Sequence, residues 1–185
     1  SLQATKIFHT IEGGAIITNN NKLANKIRRL SNFGFNQDKK ILEVGINANM
    51  NEFEAAMGLC VLEDFKKITN SRKKIWNFYH QNLKNNFSFQ DLNLFANNNY
   101  SYFPIILKSE KQTKLTIKNL KEKNIFVRRY FYPSLDLLKF NQKFGICPHS
   151  VDISKRIICL PLYYELSKLT QIKIINLLIK LKEKN

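Results

Sequence analysis

With 185 residues, 44% of them apolar and 24% charged, the chain is long enough for one ordinary domain, or for a small domain plus part of a larger one, around a sizeable core. No apolar run approaches the roughly twenty residues that span a bilayer and no basic-then-apolar leader opens the sequence, so a membrane-spanning reading is excluded and the cytoplasm is the expected compartment. Thirty Lys and Arg against 14 Asp and Glu give a net charge of +16, which raises nucleic-acid or anionic-surface binding; the basic residues are spread along solvated faces instead of forming a block, and the abundance of Lys, Asn, Ile and Phe fits AT-rich codon usage better.

Residues 1–18 are expected to hold a short strand end, a loop, and a strand-like apolar run, Ala15-Ile16-Ile17-Thr18, that stops at the Asn19-Asn20-Asn21 turn. Leu23, Ile27 and Leu30 then share one helical face over Lys22 to Ser31. A Gly/Asn-rich loop from Asn32 to Asn51 is long for a structureless connection, and such loops are more often functional than decorative. From Glu52 to about Leu83, Phe53, Ala56, Met57, Cys60, Val61, Phe65 and Ile68 recur at helical spacing. The small residues of Ala55-Ala56-Met57-Gly58 permit close approach by a neighbouring element, and the charged second half suits a bridge between domains.

Beyond it the pattern alternates. Strands are expected at Tyr100–Leu107, Ile125–Phe131 and Ile157–Leu160, with helices at Lys111–Lys123 (Leu115 and Leu120 inward) and Leu169–Leu181. Turn signals fall at Tyr132-Pro133-Ser134 and Cys147-Pro148. The division expected is 1–71 for the end of a larger domain with its linking helix and 72–185 for a small α/β domain. Three widely spaced cysteines, without a Cys-x-x-Cys pair or a His at ligand spacing, read as free thiols in a reducing compartment and point to no metal.

The chemistry concentrates at the start, in Ser1-Leu2-Gln3-Ala4-Thr5-Lys6-Ile7-Phe8-His9-Thr10-Ile11-Glu12-Gly13-Gly14. A serine, a lysine five residues on and then a glycine pair form a sensible kit for a phosphorylated aldehyde. The hydroxyl can donate to a phosphate oxygen, the amine can condense with the aldehyde, and glycines allow close backbone approach. Taken alone the pattern is weak, because an exposed lysine before a strand looks the same.

This stretch is very similar to the lysine-loop signature of the DegT–StrS aminotransferases, fold-type-I enzymes that use pyridoxal phosphate (PLP) to aminate keto sugars on nucleoside diphosphates. Gly45-Ile46-Asn47-Ala48-Asn49-Met50-Asn51-Glu52-Phe53-Glu54-Ala55-Ala56 resembles the family's Gly-x-Asn-x-[Arg/Lys]-Met-x-Glu-x-x-Ala-Ala segment. Val127-Arg128-Arg129-Tyr130-Phe131-Tyr132-Pro133 and Ile158-Cys159-Leu160-Pro161-Leu162-Tyr163 look like its small-domain strands. The resemblance implies an α/β fold comprising the end of the large PLP domain and the small C-terminal domain. It implies that Lys6 carries the cofactor, Ser1 ligates its phosphate, and Asn47 reaches the partner's PLP phosphate across a homodimer interface. His9 reads as fixing the loop rather than as a base, and His9, Arg128, Arg129 and Tyr132 are candidates for substrate contact.

The implied reaction moves an amino group from L-glutamate to a nucleotide-linked keto-6-deoxyhexose, with a dTDP-4-keto-6-deoxyhexose preferred, in surface-polysaccharide synthesis. Gln3, Ile11 and Asn49 depart from the family's usual histidine, glycine and basic residue. The aspartate facing the pyridine nitrogen and the ring-stacking residue are expected upstream of Ser1, so the chain reads as truncated or processed. An inactive fragment of the same family is the alternative; a basic nucleic-acid module ranks below it, for want of cation–aromatic interleaving on one face.

Overall fold

A computed structural model describes residues 1–93 and 95–183. The chain divides into two compact units, Ser1–Lys66 and Lys67–Asn185, with the division falling inside its longest helix.

The first unit carries helix α1 (Asn21–Ser31), which begins where the Asn20 side chain accepts from the Leu23 N–H and ends on Arg28 and Arg29, whose charge suits a helix C-terminus. Residues 32–48 form a hydrogen-bonded hairpin over that end of α1. Gly34 N–H donates to the Arg29 carbonyl, Ile46 N–H to that of Leu30 (2.7 Å) and Ala48 N–H to that of Ser31, with bridges at Asn32–Asn47 and Phe35–Ile41. Arg29 closes it through Glu43 at 2.9 Å. The segment expected as a long loop is therefore ordered by backbone pairing.

Helix α2 (Glu52–Leu83) starts in a reciprocal cap: Asn51 Oδ1 accepts from Glu54 N–H, and Glu54 Oε2 accepts from Asn51 N–H. The apolar run 15–18, expected as a strand, is irregular; Ile16 and Ile17 are exposed, and no strand among the described residues pairs with it. A strand needs a partner for its backbone groups, and β-rich composition supplies none.

The second unit holds the core. Strands β1 (Phe103–Ile106) and β2 (Ile157–Leu160) pair antiparallel, Phe103 opposite Leu160 and Ile105 opposite Ile158. Single bridges extend the ladder on both sides, Ser88 to Ile106 and Arg128 to Cys159. The strand expected over Ile125–Phe131 reduces to that one bridge. Its next partner toward the N-terminus is Pro161, which has no N–H to donate.

Helix α3 (Glu110–Glu122) is capped by Ser109, whose hydroxyl accepts from Gln112 N–H, and buries Leu120 together with Thr113 and Thr116. Leu115, expected inward, faces solvent at 38% exposure, because the buried face follows 112, 113, 116 and 120. Helix α4 (Pro148–Arg156) lies where only a turn was expected; proline suits its first turn, and Asp136 caps the chain entering it by accepting from Cys147 N–H at 2.7 Å. Helix α5 (Lys168–Glu183) buries Ile174, Ile175 and Leu178. Ile75, Tyr79 and Leu83 from α2 join Phe103, Ile105, Ile158 and Leu160 in one core, and the Tyr79 hydroxyl donates to the Pro161 carbonyl at 3.1 Å.

Candidate active site

In the first unit, the chain around Lys6 is a closed loop. Leu2 N–H donates to the Gly13 carbonyl and Thr10 N–H to the Leu2 carbonyl, both at 2.9 Å, so both ends are tied together. Within it, Lys6 N–H donates to the Gln3 carbonyl in a tight turn, and Gln3 Oε1 accepts from both the backbone and the hydroxyl of Thr5. Lys6 itself is exposed on this turn. A primary amine presented at the tip of a backbone-braced loop is accessible to an aldehyde, and the brace holds it in place.

The loop is fastened to α2 at two points on one face, two turns apart. The Phe8 ring meets Phe65 edge-on at 6.1 Å, and Thr10, at 2% exposure, sits over Gly58. Gly58 is the close-approach position expected from the small-residue run: a Cβ there would lie 2.8 Å from Thr10 Cγ2. The Thr10 hydroxyl donates to the Glu12 carbonyl across a turn in which Ile11 takes φ +70°. His9 Nδ1 accepts from Ile11 N–H at 3.4 Å, which engages it within the loop.

The remaining candidates divide by surroundings. Ser1 is exposed beside the loop's tied end. Asn47 is exposed on the hairpin, its backbone bridged to Asn32, and the neighbouring Asn49 amide donates to Asn32 Oδ1 at 3.2 Å. In the second unit Arg128 is exposed and donates to the Tyr130 hydroxyl at 2.6 Å, whereas Arg129 turns inward. Arg129 donates to the Ser154 and Lys155 carbonyls at the end of α4 and stacks on the Tyr132 ring at 3.5 Å. Tyr132 donates to Glu110, whose carboxyl is held below the usual carboxylate range by Lys114 and then by that hydroxyl.

Tyr130 escaped the sequence reading. It packs against Tyr102 at 4.9 Å and lines a cavity of about 600 Å³ with Trp76, Phe89, Tyr102 and Cys159. Its two-residue spacing from Arg128 was the available signal. Burial, then Tyr130, pushes the Tyr102 phenol up, and burial pushes the Cys159 thiol up to about 11, leaving it an inert wall. Among the described residues no His, Cys, Asp and Glu cluster could hold a metal ion, and no helix is long and apolar enough to cross a membrane.

Solved sugar aminotransferases share this fold over about half of their own chains, which makes the class that of the pyridoxal-phosphate-dependent aminotransferases. DesI, solved with its TDP-sugar product, superposes with a TM-score of 0.85 at 27% identity over 98% of this chain and 48% of its own. The aminotransferase TlmJ from Streptoalloteichus hindustanus reaches 0.90 at 20% identity over 99% of this chain and 51% of its own, a likeness of fold.

The chain belongs to the DegT/DnrJ/EryC1/StrS aminotransferase family, which matches residues 1–179. A dTDP-4-amino-4,6-dideoxy-D-glucose transaminase from Shigella dysenteriae is 37% identical over 90% of this chain and 47% of the relative. The chain spans about half the length of the curated relatives it matches. Aminotransferases of this family are PLP-dependent, and the residues present fit that cofactor: the amine of Lys6 is solvent-accessible, and its loop is pinned at both ends.

Proposed function

We propose that this chain supplies the cofactor-bearing lysine and the small domain of an enzyme that transfers an amino group from L-glutamate to a dTDP-linked 4-keto-6-deoxyhexose. The observation that carries it is the exposed Lys6 on a loop closed by the Leu2–Gly13 and Thr10–Leu2 hydrogen bonds. The Shigella relative's activity supports the choice of sugar. In this reading residues 1–71 complete the large domain and 72–185 form the small one. The enzyme works as a cytoplasmic homodimer that makes amino sugars for surface polysaccharide such as lipopolysaccharide.

PLP, when bound, supplies the electron sink that makes the donor's α-carbon acidic. Lys6 Nζ holds the cofactor between turnovers. With its amine free, Lys6 Nζ would accept the α-proton of glutamate in the first half and would deliver a proton in the second to the sugar carbon that receives nitrogen. The Ser1 hydroxyl donates to the cofactor phosphate, and Asn47 donates to the phosphate of the partner's cofactor. The exposed guanidinium of Arg128, which donates to the Tyr130 hydroxyl, has the chemistry to bind an anionic group of the substrate. Arg129 and Tyr132 hold that segment on α4 and α3, and His9 keeps the loop in shape.

Borohydride reduction of the native protein purified with its cofactor, followed by peptide mapping, tests the assignment. A phosphopyridoxyl mass is expected on the peptide containing Lys6, and Lys6→Ala should lose both the mass and the visible absorbance. The adduct on another lysine would overturn it.

A further inference from the structure

Thr10 makes three contacts in unlike directions. Its methyl lies over Gly58 of α2, its hydroxyl donates to the Glu12 carbonyl, and its N–H donates to the Leu2 carbonyl that ties the loop's ends. It is buried, at 2% exposure, although it is polar and lies four positions from an exposed lysine. Gly13 crowds it from the other side: a Cβ there would meet Thr10 Oγ1 at 2.7 Å and the Met50 methyl at 3.1 Å. The space around Thr10 is thus closed by α2 below and by the glycine turn above. A β-branched hydroxyl fills it on both sides, with one branch apolar toward the helix and the other bonded to the backbone.

We propose that Thr10 is a positioning residue for Lys6, registering the lysine loop on α2 by seating its methyl in the notch over Gly58 while its hydroxyl fixes the turn into Gly13. This rests on the reading of Lys6 as the cofactor-bearing residue. The geometry has a specific consequence. Gly58→Ala puts a methyl 2.8 Å from Thr10 Cγ2 but 4.0 Å from Thr10 Cβ, the latter an ordinary contact. Removing Cγ2 with Thr10→Ser therefore makes room for the added methyl while keeping the hydroxyl. Two substitutions that each disturb the seat should compensate each other.

The experiment is the cycle Gly58→Ala, Thr10→Ser and the double variant in the holoenzyme. A loop displaced by a fraction of an ångström moves the amine relative to the reacting carbon, so Gly58→Ala is expected to lower kcat about tenfold with KM within about twofold. It should also shift the pH at which the bound cofactor's visible absorbance titrates; the double variant should restore both. A Gly58→Ala enzyme with unchanged kcat and titration, or a double variant no better than Gly58→Ala, would overturn the proposal.

If Gly58→Ala fails to fold, Thr10→Val keeps the methyl and removes the hydroxyl. An unchanged absorbance titration and kcat in that variant counts against Thr10; a shifted titration with intact stability supports it. Tryptic cleavage after Lys6 in cofactor-free protein separates the two readings. Faster cleavage in Gly58→Ala, reversed in the double variant, shows the seat operating even if reduction finds the cofactor on another lysine.

Discussion

Ile11 shows how a single residue can carry a cost that the sequence only hints at. It is β-branched, about half exposed at 47%, and held at φ +70°, a region L-residues with branched side chains avoid. The sequence flagged the position because glycine often precedes Glu-Gly-Gly in the resembling family; the backbone angle supplies the physical reason. Ile11→Gly should raise unfolding free energy by roughly 0.5–1 kcal/mol, as relief of left-handed strain exceeds glycine's entropic cost in the unfolded chain. Urea denaturation of the two proteins measures it, and a destabilised variant would mean that the Ile11 side chain packs better than its exposure indicates. Arg128 and Arg129 make a second residue-scale lesson. Adjacent and chemically alike, they differ because alternation along an extended segment sends one to solvent and the other onto the carbonyls of α4.

At the scale of elements, the helices were legible and the strands less so. α1, α2, α3 and α5 sit within a residue or two of their periodic patterns, since each has an apolar stripe and local caps that need no distant partner. The strands depended on pairing: β1 shrank to four residues, the run at 125–131 kept one bridge, and 15–18 kept none. Helix α4 was missed because its N-cap residue, Cys147, makes no side-chain cap bond, and the Asp136 carboxylate that accepts from the Cys147 N–H lies eleven positions earlier. Tyr79 and Phe103 join α2 to β1 in the core, their rings 5.1 Å apart and both fully buried. Phe103→Ala should cost about 3–5 kcal/mol through the cavity it leaves, whereas Tyr79→Phe should cost only about 1 kcal/mol for the lost bond to Pro161. Thermal unfolding ranks the two variants, and the reverse order would show that the Tyr79 hydroxyl, not ring packing, holds the helix to the strands.

Across the whole chain, burial is lopsided. In the first unit Thr10, Gly34, Gly58 and Val61 are the buried residues among those described, while Ile17, Val44 and Phe53 are 84–95% exposed. The second unit buries a continuous core from Ile75 to Leu178. Hydrogen exchange of this chain should therefore find its slowest amides in β1, β2 and α5 and its fastest in residues 1–20 and 32–51; equal protection in both units would contradict that distribution. The sequence by itself determined helices α1, α2, α3 and α5, the lysine loop and the family, because periodicity, caps and contiguous motifs are local properties written in neighbouring residues. Only the tertiary structure decided that Thr10 closes over Gly58, that Tyr130 rather than Tyr132 lies beside Arg128, and that Arg129 belongs to α4. Those relations join residues from 2 to 48 positions apart, and which pairs meet depends on chain path and packing, which no local pattern encodes.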